Sequence, residues 1–264
     1  MTAADDATLG NLNLFEFTRE DTRWQVPHTI VEEGGVLLFA GSSDFPAYNN
    51  GVHRTDDGVP GTEVIRRAQQ FFGERGRGFS VWTRNRPVDD DLRAAAEAGG
   101  IGVFSDSPQM ICRARLDDRS LPDGVEIRAV VDDAGVRAFA DVCAEAYTSL
   151  GAPADANRSH FEGPTALRGP HVHAALGYLD GTPVSGAMIL MSHGIAGVYW
   201  VASVEAARGR GIAEAVTRHV TNLGFDLGAA SVQLEASVMG EPIYRRMGYE
   251  ELERREFRLA GPPA

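Results

Sequence analysis

Cysteine is nearly missing, with only Cys112 and Cys143 in 264 residues. Two thiols cannot staple a small domain, and neither stands in a metal-ligand spacing, so a disulfide scaffold and a cysteine metal site are not expected. Long apolar stretches are missing as well, since none reaches the roughly 18 to 20 residues that a bilayer span needs. The opening residues 1–10 are acidic and small rather than basic and then apolar, unlike a secretory leader. The expectation is a reduced, cytoplasmic chain with no membrane contact. Basic residues are also scarce, 25 Lys and Arg against 37 Asp and Glu, for a formal net charge of −12. Phosphate backbones are held by concentrated positive charge, so nucleic acid is not an expected partner. The acidic excess favours solubility, and its second consequence is long-range attraction for a cationic small molecule such as an amine.

What remains is an ordinary globular composition, 43% apolar and 23% charged. One core rarely grows past roughly 250 residues, so two domains of about 130 residues are the natural division. The turn-prone run 117–124, Asp-Asp-Arg-Ser-Leu-Pro-Asp-Gly, marks a boundary that assigns 1–120 to one unit and 121–264 to the other. In the first, a helix is predicted over 62–72, a strand over 79–83, a helix over 90–98 stopped by Gly99-Gly100, and a strand over 109–116. In the second, a strand over 125–130 and a helix over 132–149 precede three strands, 173–179, 183–191 and 194–202. The turns Asp180-Gly181 and His193-Gly194 make these a meander. A helix from Ile212, a strand over 231–236, a short helix over 242–247 stopped at Gly248, and a strand over 256–259 complete the chain. The order helix, strand, short helix, glycine, strand occurs twice, offset by about 150 residues. Each unit is therefore expected to be an α+β layer around a mixed, mostly antiparallel sheet.

The chemistry concentrates after the third meander strand, where Arg208-Gly209-Arg210-Gly211 leads directly into a helix at Ile212-Ala213. A helix start offers unpaired N–H groups and the positive dipole end, glycines let an anion approach the backbone, and arginines add charge. A pyrophosphate-bearing ligand fits this construction; so does an ordinary turn with two solvated arginines. Walker and dinucleotide signatures are both absent.

Arg208-x-x-Gly211-x-Ala213 after a strand resembles the pyrophosphate loop of the GNAT superfamily, the acyl-CoA-dependent N-acyltransferases. The later segment, from Glu235-Ala-Ser-Val-Met-Gly240 through Tyr244 to Gly248-Tyr249, resembles the second motif of that superfamily. The likeness covers 125–259 in element order and is sharp over 200–249. It implies two tandem GNAT-like domains, with acetyl-CoA as co-substrate, no metal, and a primary amine, of a small molecule, as acceptor. The amine would attack the thioester directly through a tetrahedral intermediate. Cofactor contacts implied by the resemblance fall on Val201, Ala202, Ser203, Arg208, Gly209, Arg210, Gly211, Ile212, Ala213 and Ser237. Ser237 and Gly240 depart from the Asn and Ala often found there. Tyr244 matches the general acid that reprotonates the departing thiolate; its other reading is a half-buried helix tyrosine. Glu235 is the candidate base, acting directly or through water, and its other reading is a surface carboxylate. His173 is a weaker base candidate, and Cys143, on an apolar helix face, is not a nucleophile candidate.

The first unit resembles the N-terminal part of tandem GNAT proteins, yet its turn at 54–61 carries two carboxylates and lacks the Arg208 spacing. Aligning Gly100 with Gly248 places Ala96 opposite Tyr244. That half is expected to be a degenerate, non-catalytic GNAT-like domain that shapes the substrate entrance. The segment 149–170, rich in proline, reads as a long connection over the cleft. The alternative to an enzyme is a non-catalytic acyl-CoA-binding or regulatory module. A monomer and a homodimer both remain open.

Overall fold

The computed structural model describes residues 3–262. Its first half runs α1 (Ala3–Trp24), β1 (Thr29–Glu33), β2 (Val36–Ala40), β3 (Asn50–Arg54), α2 (Gly61–Gly73), β4 (Phe79–Arg84), α3 (Asp90–Ala98) and β5 (Gly102–Cys112). The second runs β6 (Val125–Ala129), α4 (Asp133–Thr148), α5 (Ala154–Ser159), β7 (Val172–Leu179), β8 (Thr182–Ser192), β9 (Ile195–Ser203), α6 (Ile212–Asp226), β10 (Val232–Glu235), α7 (Glu241–Met247) and β11 (Glu250–Ala260). The repeated helix–strand–helix–strand order is present as α2-β4-α3-β5 and α6-β10-α7-β11. Segment 149–170, read from the sequence as loop, contains α5, whose buried face carries only Ala156, Asn157 and Ser159. One short turn with a single apolar contact leaves no periodic signal.

Among the described residues, eleven strands join one sheet in the order β1-β2-β3-β4-β11-β5-β10-β9-β8-β7-β6. The halves trade their last strands. β5 of the first half lies between β10 and β11, while β11 lies between β4 and β5. β5 and β11 are also longer than the strands expected at 109–116 and 256–259. The added residues, 102–108 and 250–255, lack apolar alternation. They are held by pairing with each other, with Arg254 opposite Pro108 and bonded to Asp106 Oδ1 at 3.0 Å. A backbone ladder satisfies main-chain polar groups whatever the side chains are, so this extension carries no hydrophobic signature.

Two apolar cores flank the sheet. The first packs α2 and α3 residues Val64, Ala68, Phe72, Leu92 and Ala96 on β2 to β4. The second packs Phe139 and Cys143 of α4 and Val216 and Val220 of α6 on Leu176, Met188, Ile189, Val232 and Leu234. Met110 and Cys112 of β5, and Trp24 of α1, belong to this second core despite their place in the first half of the chain.

Helix α1 joins the halves through polar contacts. Asn13 Nδ2 donates to Leu190 O at 3.1 Å and accepts at Oδ1 from Tyr199 Oη at 2.7 Å. Asp21, 4% exposed, accepts from Trp200 Nε1 at 3.0 Å and lies 2.7 Å from His160 Nδ1. Asp21→Ala strands the Trp200 N–H, whereas His160 Nδ1 keeps Gln25 Nε2 at 3.1 Å. An orphaned polar group costs about 1–3 kcal/mol, so urea unfolding should show a loss of about 2 kcal/mol. A midpoint unchanged from wild type would show that α1 is not a structural link.

Candidate functional site

Strands β9 and β10 are parallel partners only from Ala196–Val198 against Val232–Leu234. Beyond that point they separate, and Glu235 has no partner on β9. β9 meanwhile stays paired to β8 as far as Ser203, interrupted where Trp200 and Val201 oppose the single residue Ala187. This is a β-bulge, and Trp200 sits there at φ +51°. A left-handed conformation costs a non-glycine residue about 1–3 kcal/mol and persists only where its surroundings impose it. Here Asp21 holds the indole N–H, and the ring packs edge-on against His160 (4.8 Å), Phe161 (5.1 Å) and Tyr147 (5.5 Å). Tyr147 Oη donates to Val201 O at 3.1 Å, and Ser185 Oγ donates to Ala202 O at 2.7 Å. The carbonyls of the slot strand are thus bonded by side chains. The bulge itself has no pattern in the sequence, because its anchor, Asp21, is 179 residues away.

At the mouth of this slot, Gly209 and Gly211 adopt φ of +74° and +75°. Side chains rarely take this conformation, which is why glycine stands at both positions. Gly211 caps α6, and the first intrahelical bond runs from Ala215 N to Gly211 O at 3.0 Å. The N–H groups of Ile212, Ala213 and Glu214 therefore have no intrahelical acceptor. The two arginines diverge. Arg208 turns inward, donating to Ser203 O (3.3 Å), Ala146 O (3.3 Å) and Ser149 Oγ (2.6 Å), so it ties α4 to the end of β9. Arg210 is exposed and has no ion-pair partner among the described residues.

Across the slot, the loop after β10 leads into α7. Ser237 Oγ accepts from Gly240 N at 3.1 Å, closing the turn that starts the helix. A Cβ on Gly240 would lie 2.7 Å from Tyr244 Cε2, so this glycine makes room for the ring. Tyr244 is 7% exposed, and burial pushes its phenol well above the ordinary value. Its neighbours spend their hydroxyls on protein: Tyr147 on Val201 O, Tyr199 on Asn13, and Tyr249 on Thr221 at 2.7 Å. The Tyr244 hydroxyl makes no hydrogen bond among the described residues, nor is it sealed from solvent.

Glu235 makes no ion pair or hydrogen bond within the described residues either. Its side chain touches solvent, yet desolvation raises its pKa; Arg255 pulls it back down and Glu253 adds to the rise. Tyr48 has the same character: 45% exposed, its phenol pushed up to about 12, first by burial and then by the Glu235 charge. The other two candidates lie elsewhere. His173 is on β7, three strands from β10 and so roughly 14 Å away. Cys143 is fully buried, and that burial raises its thiol pKa.

The first half repeats the geometry without the opening. β3 and β4 pair in parallel over two residues only, Gly51–Ser80 and Val52–Val81. The gap beyond is filled by buried Arg54, which pairs with Asp89 and, at 2.8 Å, with Asp91. The second oxygen of Asp91 accepts from Gly61 N at 2.6 Å, at the start of α2. The chain's own carboxylate occupies the seat that an anion would take. A groove of about 490 Å³ also follows the outer side of α6. Its cations are spoken for, Arg119 and Arg218 by Glu214, and Arg115 by Asp118 and Asp226. Among the described residues no group of three His, Cys, Asp or Glu could hold a metal ion, and no helix is long and apolar enough to cross a membrane.

No family model matches the sequence, and no curated protein matches it. Solved structures do. A GCN5-related N-acetyltransferase from Kribbella flavida superposes with a TM-score of 0.68 at 20% identity, over 93% of this chain and 92% of that one. A GCN5-related N-acetyltransferase from Sphaerobacter thermophilus gives 0.63 at 17% identity, over 89% and 83%. A tandem GNAT protein from the clavulanic acid biosynthesis pathway gives 0.60 at 15% identity, over 100% and 98%. The chain has the GNAT fold, over the full length of a tandem arrangement.

Proposed function

We propose that the second half transfers an acyl group from an acyl-CoA, in the first instance acetyl-CoA, to a primary amine of a small molecule. The observation that carries this reading is the conjunction, at one strand end, of a splayed slot and a helix start with unpaired amides. Tyr244, with no hydrogen bond to its hydroxyl among the described residues, stands on α7, the helix that follows β10. The residues suit the donor: an extended pantetheine arm matches the edge of β9 that β10 leaves unpaired at Val201, Ala202 and Ser203, whose carbonyls each keep a second lone pair beside the bond from Tyr147, Ser185 or Arg208. Ser203 Oγ, buried without a partner, favours a polar neighbour there. A diphosphate matches the amides of Gly209, Gly211, Ile212 and Ala213, with Arg210 as the available cation. Ser237 keeps its hydroxyl proton for the ligand while its oxygen closes the α7 turn.

The chemistry then divides among three groups. Glu235 takes a proton from the bound ammonium, whose pKa of about 10 keeps it protonated in water. Main-chain N–H groups of β9 stabilise the oxyanion of the tetrahedral intermediate. Tyr244, neutral at physiological pH, hands a proton to the leaving sulfur and is restored by the second proton that the nitrogen sheds as the amide forms, while the proton on Glu235 passes to solvent. The first half, its anion seat filled by Asp91, is a non-catalytic partner.

A thiol-release screen of acetyl-CoA against primary amines, with calorimetric titration of acetyl-CoA alone, tests this reading. Binding with turnover supports it. Binding without turnover on any amine would favour the acyl-CoA-binding module, and no binding would remove both. The arginines give a sharper check. Arg210→Ala should weaken acetyl-CoA binding by about threefold to tenfold, an effect that shrinks as salt rises. Arg208→Ala should act chiefly on thermal stability, because its hydrogen bonds are internal.

A further inference from the structure

The acceptor side of the slot is built partly from the other half of the chain. Tyr48, in the loop between β2 and β3, is held at φ +66°, a conformation costly for an aromatic residue. Its neighbour Asn49 shows what holds it. The buried Asn49 amide donates to Gln25 Oε1 (2.9 Å), Ser159 Oγ (3.0 Å) and Ala156 O (3.3 Å), clamping the loop onto α1 and α5. Tyr48 is thereby fixed with respect to the second half, over Phe257 of β11.

One face of the ring is already engaged. It stacks on Phe257 of β11 at 5.0 Å and 10°, and Phe257 in turn contacts Trp82 of β4 at 4.5 Å. The ring also nears Trp82 at 6.4 Å and 54°, and the residue is still 45% exposed. Glu235, a carboxylate with no ion pair or hydrogen bond among the described residues, projects from the same face of the sheet: it stands opposite Gln109 of β5, Gln109 stands opposite Glu253 of β11, and Glu253, Arg255 and Phe257 alternate along that face. The nearest cation, Arg255, is engaged by Asn11 Oδ1 at 2.6 Å and by Glu253 Oε1 at 3.4 Å. An open π-face that extends an existing stack, next to an unpaired carboxylate, matches a ligand with a flat ring at one end and a cation at the other.

We propose that the acceptor is a primary arylalkylamine whose ring lies on Tyr48 and whose amino group is received at Glu235. The first half thus supplies one wall of the acceptor site. The proposal rests on the acyl-transfer reading for the fate of the amine, but its binding can be measured alone. The probe is 2-phenylethylamine, titrated by NMR into the full-length protein without acyl donor and compared with 2-cyclohexylethylamine, which has the same charge and no π-face.

Aromatic pairs contribute enough that Tyr48→Gly, which also relieves the positive φ, should weaken phenylethylamine by about threefold to tenfold. Tyr48→Phe should stay within about twofold, since the ring and not the hydroxyl makes the contact. The cyclohexyl compound should bind the wild type more weakly than the phenyl one, and Tyr48→Gly should abolish the difference. An unchanged melting temperature and normal acetyl-CoA affinity in Tyr48→Gly separate loss of the wall from loss of the fold. No phenylethylamine binding, no preference for the aryl compound, or equal affinity in Tyr48→Gly overturns the proposal. Amine binding with this Tyr48 dependence but no affinity for acetyl-CoA would leave the site standing and remove the acyl-transfer reading instead.

Discussion

Tyr244→Phe is expected to lower kcat by about a hundredfold while leaving acetyl-CoA affinity within about twofold, the usual size of a lost general acid. The substitution removes one oxygen and keeps the ring that packs on Gly240, so the turn and α7 should be undisturbed. The specificity of the prediction comes from the surrounding tyrosines. Tyr147, Tyr199 and Tyr249 all have protein partners for their hydroxyls, and Tyr244 does not. Burial holds the Tyr244 phenol above its ordinary value, so it stays protonated through the neutral range. A thiol has a pKa of about 8.5, so above that pH sulfur leaves readily as the thiolate and the defect of the variant should shrink. Single-turnover rates from pH 7 to 9.5 would show this. An unchanged kcat would return Tyr244 to the role of a packed helix tyrosine, and no transfer in either protein would favour the binding module.

Glu235→Gln is the second large effect, with kcat expected to fall by about a hundredfold and its pH profile to change shape. The sign follows from the direction of the shift. Desolvation raises the Glu235 pKa, Glu253 adds to the rise, and Arg255 opposes both; Tyr48 and Tyr199 complete the surroundings. A base works when ionised, so kcat in the wild type should drop as pH falls through this raised value. The inflection should lie above the ordinary glutamate value of about 4.3. In Glu235→Gln that acid limb should be absent. A solvated surface carboxylate would predict a change of less than about twofold and the same profile in both proteins.

Asp21 shows a different kind of dependence. It holds the indole of Trp200 at the bulge, and Gln25, the residue that follows α1, bonds Asn49 beside Tyr48. The geometry of the slot and of the aromatic wall therefore shares one support at the end of α1. On the proposed reading the first half is a structural part of the site, although its own helix start at Gly61 is bonded by Asp91.

The sequence by itself determined what depends on neighbours in the chain. Helix faces in α2, α4 and α6 follow from apolar spacing. The meander follows from Asp180-Gly181 and His193-Gly194, all four at positive φ. Gly209, Gly211 and Gly248 mark helix ends that need left-handed backbone. The glycine turn before α6 was legible for the same reason, and the candidates Glu235 and Tyr244 could be named because each lies within one short stretch. Only the tertiary structure decided the rest. The exchange of β5 and β11, the bulge at Trp200, the inward turn of Arg208 and the clamp on Tyr48 all join residues far apart in the chain. They are made by backbone pairing and buried polar contacts. Such contacts depend on which groups meet in space, and they impose no periodicity on the residues that make them.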